Sequence, residues 1–245
     1  EFLIMKITPE LSEISGIHSG DGHLRRNKEL EISGSFEEKG YYDNRVIPLF
    51  NRFFKLSIKG RFFPSKGTYG FWVSSCEIGK TLMELGFPSG NKTKTVKVPS
   101  IILNSNDSSI RRSFLRGLFD TDGCISFNKR IYDKNHFKKT KHFYPTVIIE
   151  GVSKNLIEEV DLLCKKEGFK SRLYIHTPKK KTESIRYKLQ MPGKKSLLDW
   201  IEKISPKNQV KVSRYEIWNK FGHCPSKKTY KERLEILKSQ KIKEF

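Results

Sequence analysis

The chain has 245 residues, of which 48 are Lys or Arg and 27 are Asp or Glu, so its formal net charge at pH 7 is +21. Such a length forms one large domain or two small ones, and so basic a chain most often binds nucleic acid, with an anionic membrane surface as the second choice. No run of eighteen apolar residues occurs, which excludes a membrane-spanning helix. Residues 1–6 lack the long apolar core of a secretory signal. We therefore expect an intracellular protein, in a compartment that the sequence does not indicate.

Periodicity predicts the same order of elements twice along the chain. In the first pass we expect helices over 10–20, 43–54 and 76–86, a hairpin over 22–36, and strands over 55–63 and 68–75. A linker over 87–108, rich in Gly, Lys, Pro and Ser, leads to the second pass. There we expect helices over 109–121, 154–167 and 194–204, a hairpin over 124–152, and strands over 170–177 and 184–191. Two further helices, over 207–220 and 228–240, follow in the tail.

Two near-copies of one short pattern occur about a hundred residues apart: residues 14–22 read ISGIHSGDG and residues 115–123 read LRGLFDTDG. Gly16 and Gly20 share a helix face, as do Gly117 and Thr121, because residues four apart are neighbours on a helix. Small residues at this spacing let two helices cross tightly. We therefore predict that the two motif helices pack on each other.

Each pattern ends in Asp-Gly, and we expect Gly22 and Gly123 to end the helices in the left-handed conformation. Asp21 and Asp122 would then lie side by side at two negative helix ends, where like charges raise each other's pKa. A divalent cation relieves both penalties, and oxygen ligands of this type suit Mg2+, which can activate water and stabilise a leaving oxygen. The alternative for each Asp-Gly is a simple turn after a helix, but two copies in matching context favour the metal site.

Three predicted strands carry one polar, mostly basic face, because alternate residues of a strand share a face. The residues concerned are Lys55, Ser57, Lys59 and Arg61 in one strand, Arg172, Tyr174 and His176 in the next, and Arg186, Lys188 and Gln190 in the last. Strands of this type can enter the major groove of DNA, where Arg, Lys and Gln read base edges. The alternative is an ordinary solvated sheet face, but the agreement of three strands favours DNA contact.

Positive charge is concentrated towards the end of the chain. Residues 1–110 contain 15 basic and 12 acidic residues, residues 111–204 contain 22 and 11, and residues 205–245 contain 11 and 4. We expect the second half and the tail to supply most of the attraction to phosphate. The basic loop 129–141 and the lysine run 179–181 are predicted to touch phosphates without sequence choice.

The cysteines and histidines give weaker signals. The four cysteines form no CxxC pair, so we expect reduced thiols rather than a zinc site. His18 and His23 flank the first Asp-Gly, where either could act as a general base. Packing or hydrogen bonding within the helix is the preferred interpretation of His18.

The two patterns resemble the LAGLIDADG motif of homing endonucleases. Residues 114–123 are close to the family's usual wording, whereas the first copy has His18 and Ser19 where an apolar residue and an acid are common. Lys97, Val98 and Pro99 are similar to the link between the halves of single-chain members. The resemblance covers most of residues 10–204.

The resemblance implies an α+β fold in which two αββαββα repeats pack as a pseudo-dimer and form a saddle-shaped antiparallel sheet surface over DNA. We divide the chain into a first half, 1–96, a second half, 97–204, and a basic helical extension, 205–245. The implied activity is cleavage of both strands of double-stranded DNA across the minor groove by an intron-encoded monomer. Two fused halves of unlike sequence predict a long, asymmetric target.

The resemblance also assigns site residues. Asp21 and Asp122 would be the catalytic metal ligands, and Gly20 and Thr121 would lend backbone carbonyls to the metals. Mg2+ is the expected cofactor, with Mn2+ substituting and Ca2+ binding without supporting cleavage. The family often places a basic or polar residue near the metals, and the candidates here are Lys188, Lys194, Ser35 and Ser75.

Two other functions remain open. On the same fold the protein could be an RNA maturase with intron RNA as its partner, or a non-catalytic DNA-binding regulator, but the presence of both acids favours the enzyme. The endonuclease portion of an intein is a third class. Self-splicing would need a nucleophile at the first residue and His-Asn at the end, whereas the sequence has Glu1 and ends in Glu244 and Phe245, so we expect none.

Overall fold

The computed structural model describes residues 6–131, 141–178, 180 and 182–239. The helices are α1 Pro9–Asp21, α2 Lys39–Tyr41, α3 Ile47–Phe54, α4 Cys76–Glu84, α5 Ser100–Leu103, α6 Ser108–Asp122, α7 Lys154–Lys166, α8 Lys194–Lys203, α9 Gln209–Phe221 and α10 Tyr230–Lys238. The strands are β1 Gly22–Arg25, β2 Glu29–Ser35, β3 Arg61–Phe63, β4 Thr68–Ser74, β5 Gly123–Ile131, β6 Lys141–Gly151, β7 Arg172–His176 and β8 Arg186–Pro192. The tip of the predicted basic loop, 132–140, and Lys179 and Lys181 of the lysine run lie outside the described residues.

The α+β class and the repeat are confirmed. A four-stranded antiparallel sheet in the order β1-β2-β4-β3 is followed by a second in the order β5-β6-β8-β7. In both passes a motif helix leads directly into a hairpin, a helical segment follows, and two more strands and a helix complete the unit. The boundaries at 96/97 and 204/205 remain predictions. Within the described ranges, no helix combines the length and the hydropathy that a bilayer span requires.

The motif helices α1 and α6 touch through their backbones. A Cβ atom on Gly16 would lie 2.2 Å from the carbonyl oxygen of Phe114, and one on Gly117 would lie 2.3 Å from that of Glu13. Ser12 Oγ donates to the carbonyl oxygen of Ile110 at 2.7 Å across the same contact. The predicted helix packing is confirmed, and glycine is required because no side chain fits between the two backbones.

The expectation of left-handed glycines at the helix ends is wrong. Gly22 and Gly123 both have φ of −81° and extended backbone, so the chain passes straight from helix into strand. A Cβ atom would lie 2.1 Å from His18 Nδ1 at the first position and 2.1 Å from Phe119 Cδ2 at the second. Glycine is needed here for space, because a side chain from the last helical turn lies against the strand start.

The predicted strand over 55–63 is also wrong in most of its length. Helix α3 ends at Lys55, which is left-handed with φ of 52°, and β3 begins only at Arg61. Asn51 holds the intervening segment, donating to the carbonyl oxygen of Ile58 at 3.0 Å and accepting from its N–H at 2.7 Å. Lys55, Ser57 and Lys59 are exposed as expected, but in a loop. The alternation of polar and apolar residues reflects one buried anchor, Ile58, rather than a sheet.

The helical segment before this loop begins earlier than predicted. The predicted helix over 43–54 is preceded by the single turn α2 and starts as a π-helical stretch, Tyr42–Val46, before α3.

All four cysteines are free, as the sequence predicts.

The linker and the tail each cross from one half to the other. In the linker, the N–H of Gly90 donates to the carbonyl oxygen of Leu24 in β1, and Ser153 Oγ of the second half donates to the carbonyl oxygen of Val96 at 2.5 Å. In the tail, Trp218 stacks on Phe127 of β5 with ring centroids 5.8 Å apart. The tail then joins the first half.

The junction between the tail and the first half consists of hydrogen bonds to two acids that follow β2. Asn208 Nδ2 donates to Glu38 Oε1 at 2.7 Å, and the N–H of Tyr230 donates to Glu37 Oε1 at 3.0 Å. The linker and the tail therefore each connect the two halves of the molecule.

Candidate active site

Asp21 and Asp122 are the last residues of α1 and α6, and the helix crossing brings them together. The Oδ2 atom of Asp122 lies 3.1 Å from the position that a Cβ on Gly20 would occupy. Asp21 is partly buried, and Asp122 is exposed. The two carboxylates thus meet in a cleft between the halves, one from each motif.

The surroundings of Asp21 favour its protonated form. Its pKa is raised to about 7, first because surrounding protein removes the carboxylate from water and second because Asp122 is close. The buried Tyr42 donates a hydrogen bond from its hydroxyl to Asp21 Oδ2 at 2.6 Å, which acts in the opposite direction. Gly34 leaves room for this pair, because a Cβ there would lie 2.9 Å from Asp21 Oδ2.

The second half surrounds its carboxylate differently. Gly151 ends β6, much as Gly34 lies near the end of β2. The neighbouring side chain at Gly151 is Ile157, whose Cδ1 lies 3.3 Å from the position that a Cβ on the glycine would occupy. Although Asp122 is exposed as a whole residue, the protein around the cleft partly removes its carboxylate from water and raises its pKa, while the ammonium groups of Lys211 and Lys92 lower it. The two half-sites are therefore related in backbone but not in chemistry.

A lysine lies at the C-terminal end of each motif helix. Lys92 of the linker donates from Nζ to the carbonyl oxygens of Ser19 at 2.7 Å and Gly20 at 2.9 Å. Lys211 of the tail donates from Nζ to the carbonyl oxygens of Thr121 and, at 2.8 Å, Gly123. Cations at this end oppose the negative pole of each helix. Burial lowers the pKa of Lys92 to about 8.

Sequence reasoning missed both lysines. They lie 72 and 90 residues from the carbonyls of Gly20 and Thr121, so no local spacing marks them. The residues considered for this role have other positions: Ser35 and Ser75 cap helical turns, Lys194 begins α8, and Lys188 pairs with Glu150 at 2.9 Å. What the two lysines share is visible only in the structure: each belongs to a segment that crosses between the halves.

Asp120 is a second residue whose role was not anticipated. It is completely buried and accepts the N–H of Lys207 at 2.8 Å and that of Asn208 at 3.1 Å. Burial raises its pKa to about 7, although these N–H groups act to lower it. Asp120 thereby fixes the start of α9, the helix that carries Lys211.

The donor set suits a hard divalent cation. Two carboxylates lie beside the carbonyl oxygens of Gly20 and Thr121, each of which already accepts a hydrogen bond from a lysine. All four groups offer oxygen ligands of the kind that Mg2+ accepts. In the part of the chain that the structure describes, no group of three or more His, Cys, Asp or Glu side chains is arranged so that it could hold a metal ion by itself. Water and phosphate oxygens would have to complete the coordination, as is usual for Mg2+.

The histidines are poorly placed for proton transfer. His18 is fully buried, packs edge-on against Phe87 with ring centroids 4.7 Å apart, and has no hydrogen-bond partner on either ring nitrogen among the described residues. Burial holds its pKa well below the usual value, so it is neutral. This agrees with the packing interpretation of His18. His23 lies opposite Glu31 in the first sheet, and partial burial lowers its pKa.

The predicted DNA-contacting residues of the second half do lie together. Register places Arg172 opposite Gln190, Tyr174 opposite Lys188, and His176 opposite Arg186, so the six side chains share one face of β7 and β8. In the first half only Arg61 belongs to a strand. Trp72, which the sequence did not single out, is 46% exposed and pairs with Glu31 on the polar face of that sheet.

Known proteins share this architecture. Residues 109–205 match the profile of the LAGLIDADG-like domain family. Over 94% of this chain and 96% of that one, the fold is similar to the LAGLIDADG homing endonuclease I-LtrWI bound to target DNA, with a TM-score of 0.55 and 13% identity. The LAGLIDADG meganuclease I-AabMI bound to uncleaved DNA gives a TM-score of 0.52 and 13% identity over 94% and 97% of the two chains.

Residues 109–205 therefore belong to the LAGLIDADG-like domain family, and the whole chain shares the fold of LAGLIDADG homing endonucleases. The matched profile begins at the second motif helix and ends at the start of the tail, which fits the closer wording of the second motif. At 11–13% identity the matched structures establish the fold of this protein and not its activity.

The chain also matches curated protein sequences, in each case over only part of the matched protein. The chain is 26% identical to the tRNA-splicing ligase RtcB of Pyrococcus furiosus over 93% of its own length and 24% of that protein. It is 28% identical to the glutamine–fructose-6-phosphate aminotransferase of Methanocaldococcus jannaschii over 48% of its own length and 10% of that protein. The chain thus spans at most about a quarter of the length of the curated relatives that it matches.

Proposed function

We propose that this protein is a site-specific homing endonuclease that makes a metal-dependent double-strand break in a long, asymmetric DNA target as a monomer. One observation carries the proposal: each motif helix brings a carboxylate to the same cleft, and a lysine from a different crossing segment accompanies each helix end. A two-strand reaction needs two such sets. Proteins of the same fold are solved bound to target DNA.

The proposed cofactor is Mg2+, with Mn2+ as a substitute and Ca2+ as a non-productive ligand. Asp21, Asp122 and the carbonyl oxygens of Gly20 and Thr121 would hold it. The homing endonuclease I-DmoI, of similar fold, is solved with DNA and Mn and with DNA and Ca. When bound, such an ion polarises a phosphoryl oxygen and lowers the pKa of a water molecule.

The chain's own residues supply positioning and charge. Lys92 and Lys211 place ammonium groups beside the two carboxylates, where they would stabilise charge that develops on each scissile phosphate. Tyr42 orients Asp21 through one carboxylate oxygen and leaves Oδ1 free of that contact. The basic face of β7 and β8 would hold the DNA that the second half reads.

The ligase and aminotransferase activities of the curated relatives are not proposed for this chain. Similar segments occur within proteins named for two unrelated reactions and form 24% and 10% of their length. A segment shared by unrelated enzymes does not account for either reaction. The match favours a LAGLIDADG unit carried within different hosts.

The test is cleavage of a plasmid library of randomised long targets, with Mg2+ and separately with Ca2+, followed by sequencing of the ends. We expect discrete double-strand breaks with Mg2+ and none with Ca2+. Tight, salt-sensitive binding to one DNA sequence or to RNA, without cleavage in any divalent metal, would instead support a regulator or a maturase.

Each lysine should serve one DNA strand. Lys211→Met and Lys92→Met are each expected to slow cleavage of one strand by about a hundredfold, the size of effect seen when one preorganised donor is removed. The two variants should therefore accumulate DNA nicked in opposite strands, as read by sequencing nicked plasmid. Lys231→Met, which removes an exposed tail cation, is the control. Equal slowing of both strands by either variant would contradict the assignment.

A further inference from the structure

Two arginines of the tail lie close enough for their charges to interact, and neither forms an ion pair with a carboxylate among the described residues. Arg214 belongs to α9 and Arg233 to α10, and Arg233 is only 5% exposed. The Nε atoms of both have no hydrogen-bond partner among the described residues. Burial lowers the pKa of Arg233, and the neighbouring charge of Arg214 lowers it further. A buried cation beside a like charge is unfavourable unless an anion is present.

The polar groups around the pair do not supply that anion. Arg214 donates a hydrogen bond to the thiol of Cys224, whose pKa is raised by burial, so the sulfur is neutral. The charge of Glu37 raises the pKa of Arg233, but within the described residues Glu37 forms no ion pair with it and instead accepts the N–H of Tyr230 at 3.0 Å; Glu232 pairs with Lys228 at 2.9 Å. The remaining contact of Arg233 is with the ring of Tyr230, whose centroid lies 6.0 Å from Cζ.

The pair lies close to the candidate active site. Arg214 follows Lys211 by one turn of α9, and Lys211 touches the carbonyl oxygens that flank Asp122. The charge of Arg214 also reaches the thiol of Cys124, an exposed residue of β5 two positions beyond Asp122. Lys211, Arg214 and Arg233 therefore form a basic row that leads away from the second carboxylate.

The first half has no equivalent row. Lys92 corresponds to Lys211, but the linker residues that follow it, 93–98, contain no arginine, and their two lysines are exposed. A guanidinium presents a planar fork of donors that matches the oxygens of phosphate, and two forks can hold one phosphate between them. The guanidinium donors and their position close to the candidate active site together indicate a phosphate-type ligand.

We propose that Arg214 and Arg233 form a binding site for a phosphate-type oxyanion, and that the DNA backbone beside the cleavage position of the second half supplies it. The choice of DNA as the source rests on the proposed function. The oxyanion chemistry does not, since it follows from two neighbouring guanidinium groups whose Nε atoms have no hydrogen-bond partner among the described residues.

The first arm of the test uses inorganic phosphate. We expect phosphate, compared with chloride at equal ionic strength, to raise the melting temperature of the metal-free protein by several degrees, because a ligand that binds only the folded state stabilises it. The increase should disappear in Arg214→Met and Arg233→Gln and persist in Lys231→Met. Arg214 is only partly buried, so its variant remains informative even if Arg233→Gln folds poorly.

The second arm uses a random-sequence DNA duplex without divalent metal, because phosphate contacts do not depend on sequence. The slope of the logarithm of the binding constant against the logarithm of salt concentration should fall by about one in Arg214→Met, as expected for one lost phosphate contact. Lys231→Met should leave the slope unchanged.

The possible outcomes distinguish a DNA phosphate from a free anion as the ligand. They also distinguish failure of this proposal from failure of the proposed endonuclease function. Loss of both effects in Arg214→Met supports a DNA phosphate site, whether or not the protein cleaves. Loss of the phosphate effect with an unchanged slope assigns the site to a free anion and overturns its link to DNA. No stabilisation by phosphate and no change of slope would overturn the proposal entirely. Failure of the endonuclease function would appear separately, as absence of cleavage by the wild-type protein.

Discussion

Asp122→Asn and Asp21→Asn are each expected to abolish double-strand cleavage and to leave DNA binding unchanged. Asparagine keeps the size of the side chain but removes the negative charge that would hold a divalent cation. Each carboxylate ends a different motif helix, so neither can replace the other. Loss of a group that acts only on the transition state lowers the rate without weakening binding. We expect at least about a hundredfold reduction, the scale observed when one preorganised electrostatic group is removed.

The matched control is Asp107→Asn. Asp107 caps the start of α6 and accepts the N–H of Ser109 at 2.7 Å, at the opposite end of the helix that Asp122 terminates. Asparagine caps helices as well as aspartate does, so stability and cleavage should both be unchanged. Double-strand cleavage at the wild-type rate by Asp21→Asn combined with Asp122→Asn would contradict the assignment.

Stability measurements distinguish loss of charge from loss of fold. The pKa of Asp21 is about 7 in the folded protein, against an ordinary value of 3.8, so the folded state binds the proton more tightly than the unfolded state does. Between those values the stability contributed by this group falls as pH rises. In metal-free buffer Asp21→Asn should therefore melt higher relative to the wild type at pH 8 than at pH 4. A variant that melts well below the wild type at pH 8 would indicate damage to the fold instead.

The parts of the fold that the sequence predicted are those governed by short-range rules. Gly16 and Gly117 recur because backbone contact excludes any side chain, and that requirement is visible in the motif itself. The basic face of β7 and β8 followed from period-two alternation, and strand register aligned it.

The failures have equally local causes. A loop held extended by Asn51 alternates in exposure as a strand does, which is why Lys55, Ser57 and Lys59 were assigned to a sheet. Gly22 and Gly123 were read as helix caps, although their role is to leave space for a side chain of the preceding turn.

The long-range parts of the site could not be predicted. Lys92, Lys211 and Tyr42 reach the carboxylate ends of α1 and α6 from segments outside the motifs, and only the assembled chain shows them together. Their asymmetry follows from the divergence of two halves that keep one backbone plan. Asp21 has a tyrosine donor that no described residue matches at Asp122, while the tail adds Arg214 and Arg233 on the other side. The two DNA strands would therefore meet chemically different half-sites.

The packing of the motif helices should be as sensitive to substitution as the chemistry of the carboxylates that it brings together. Gly117→Ala and Gly16→Ala are each expected to destabilise the protein by about 1–3 kcal/mol or more, the usual effect of overpacking a close contact. Each added Cβ would meet a carbonyl oxygen of the partner helix, at 2.3 and 2.2 Å. This occurs although alanine favours helix formation over glycine by about 1 kcal/mol.

Gly40→Ala is the control, because Gly40 lies in α2 and the nearest atom to its Cβ position is 4.0 Å away. There the helix preference acts alone, so stability should be unchanged or should rise by up to about 1 kcal/mol. Urea unfolding of the three variants and the wild type measures the difference. If Gly117→Ala were as stable as Gly40→Ala, the backbones of α1 and α6 could not be in contact in solution. The distance between Asp21 and Asp122, which that contact sets, would then have to be larger than a shared metal cleft requires.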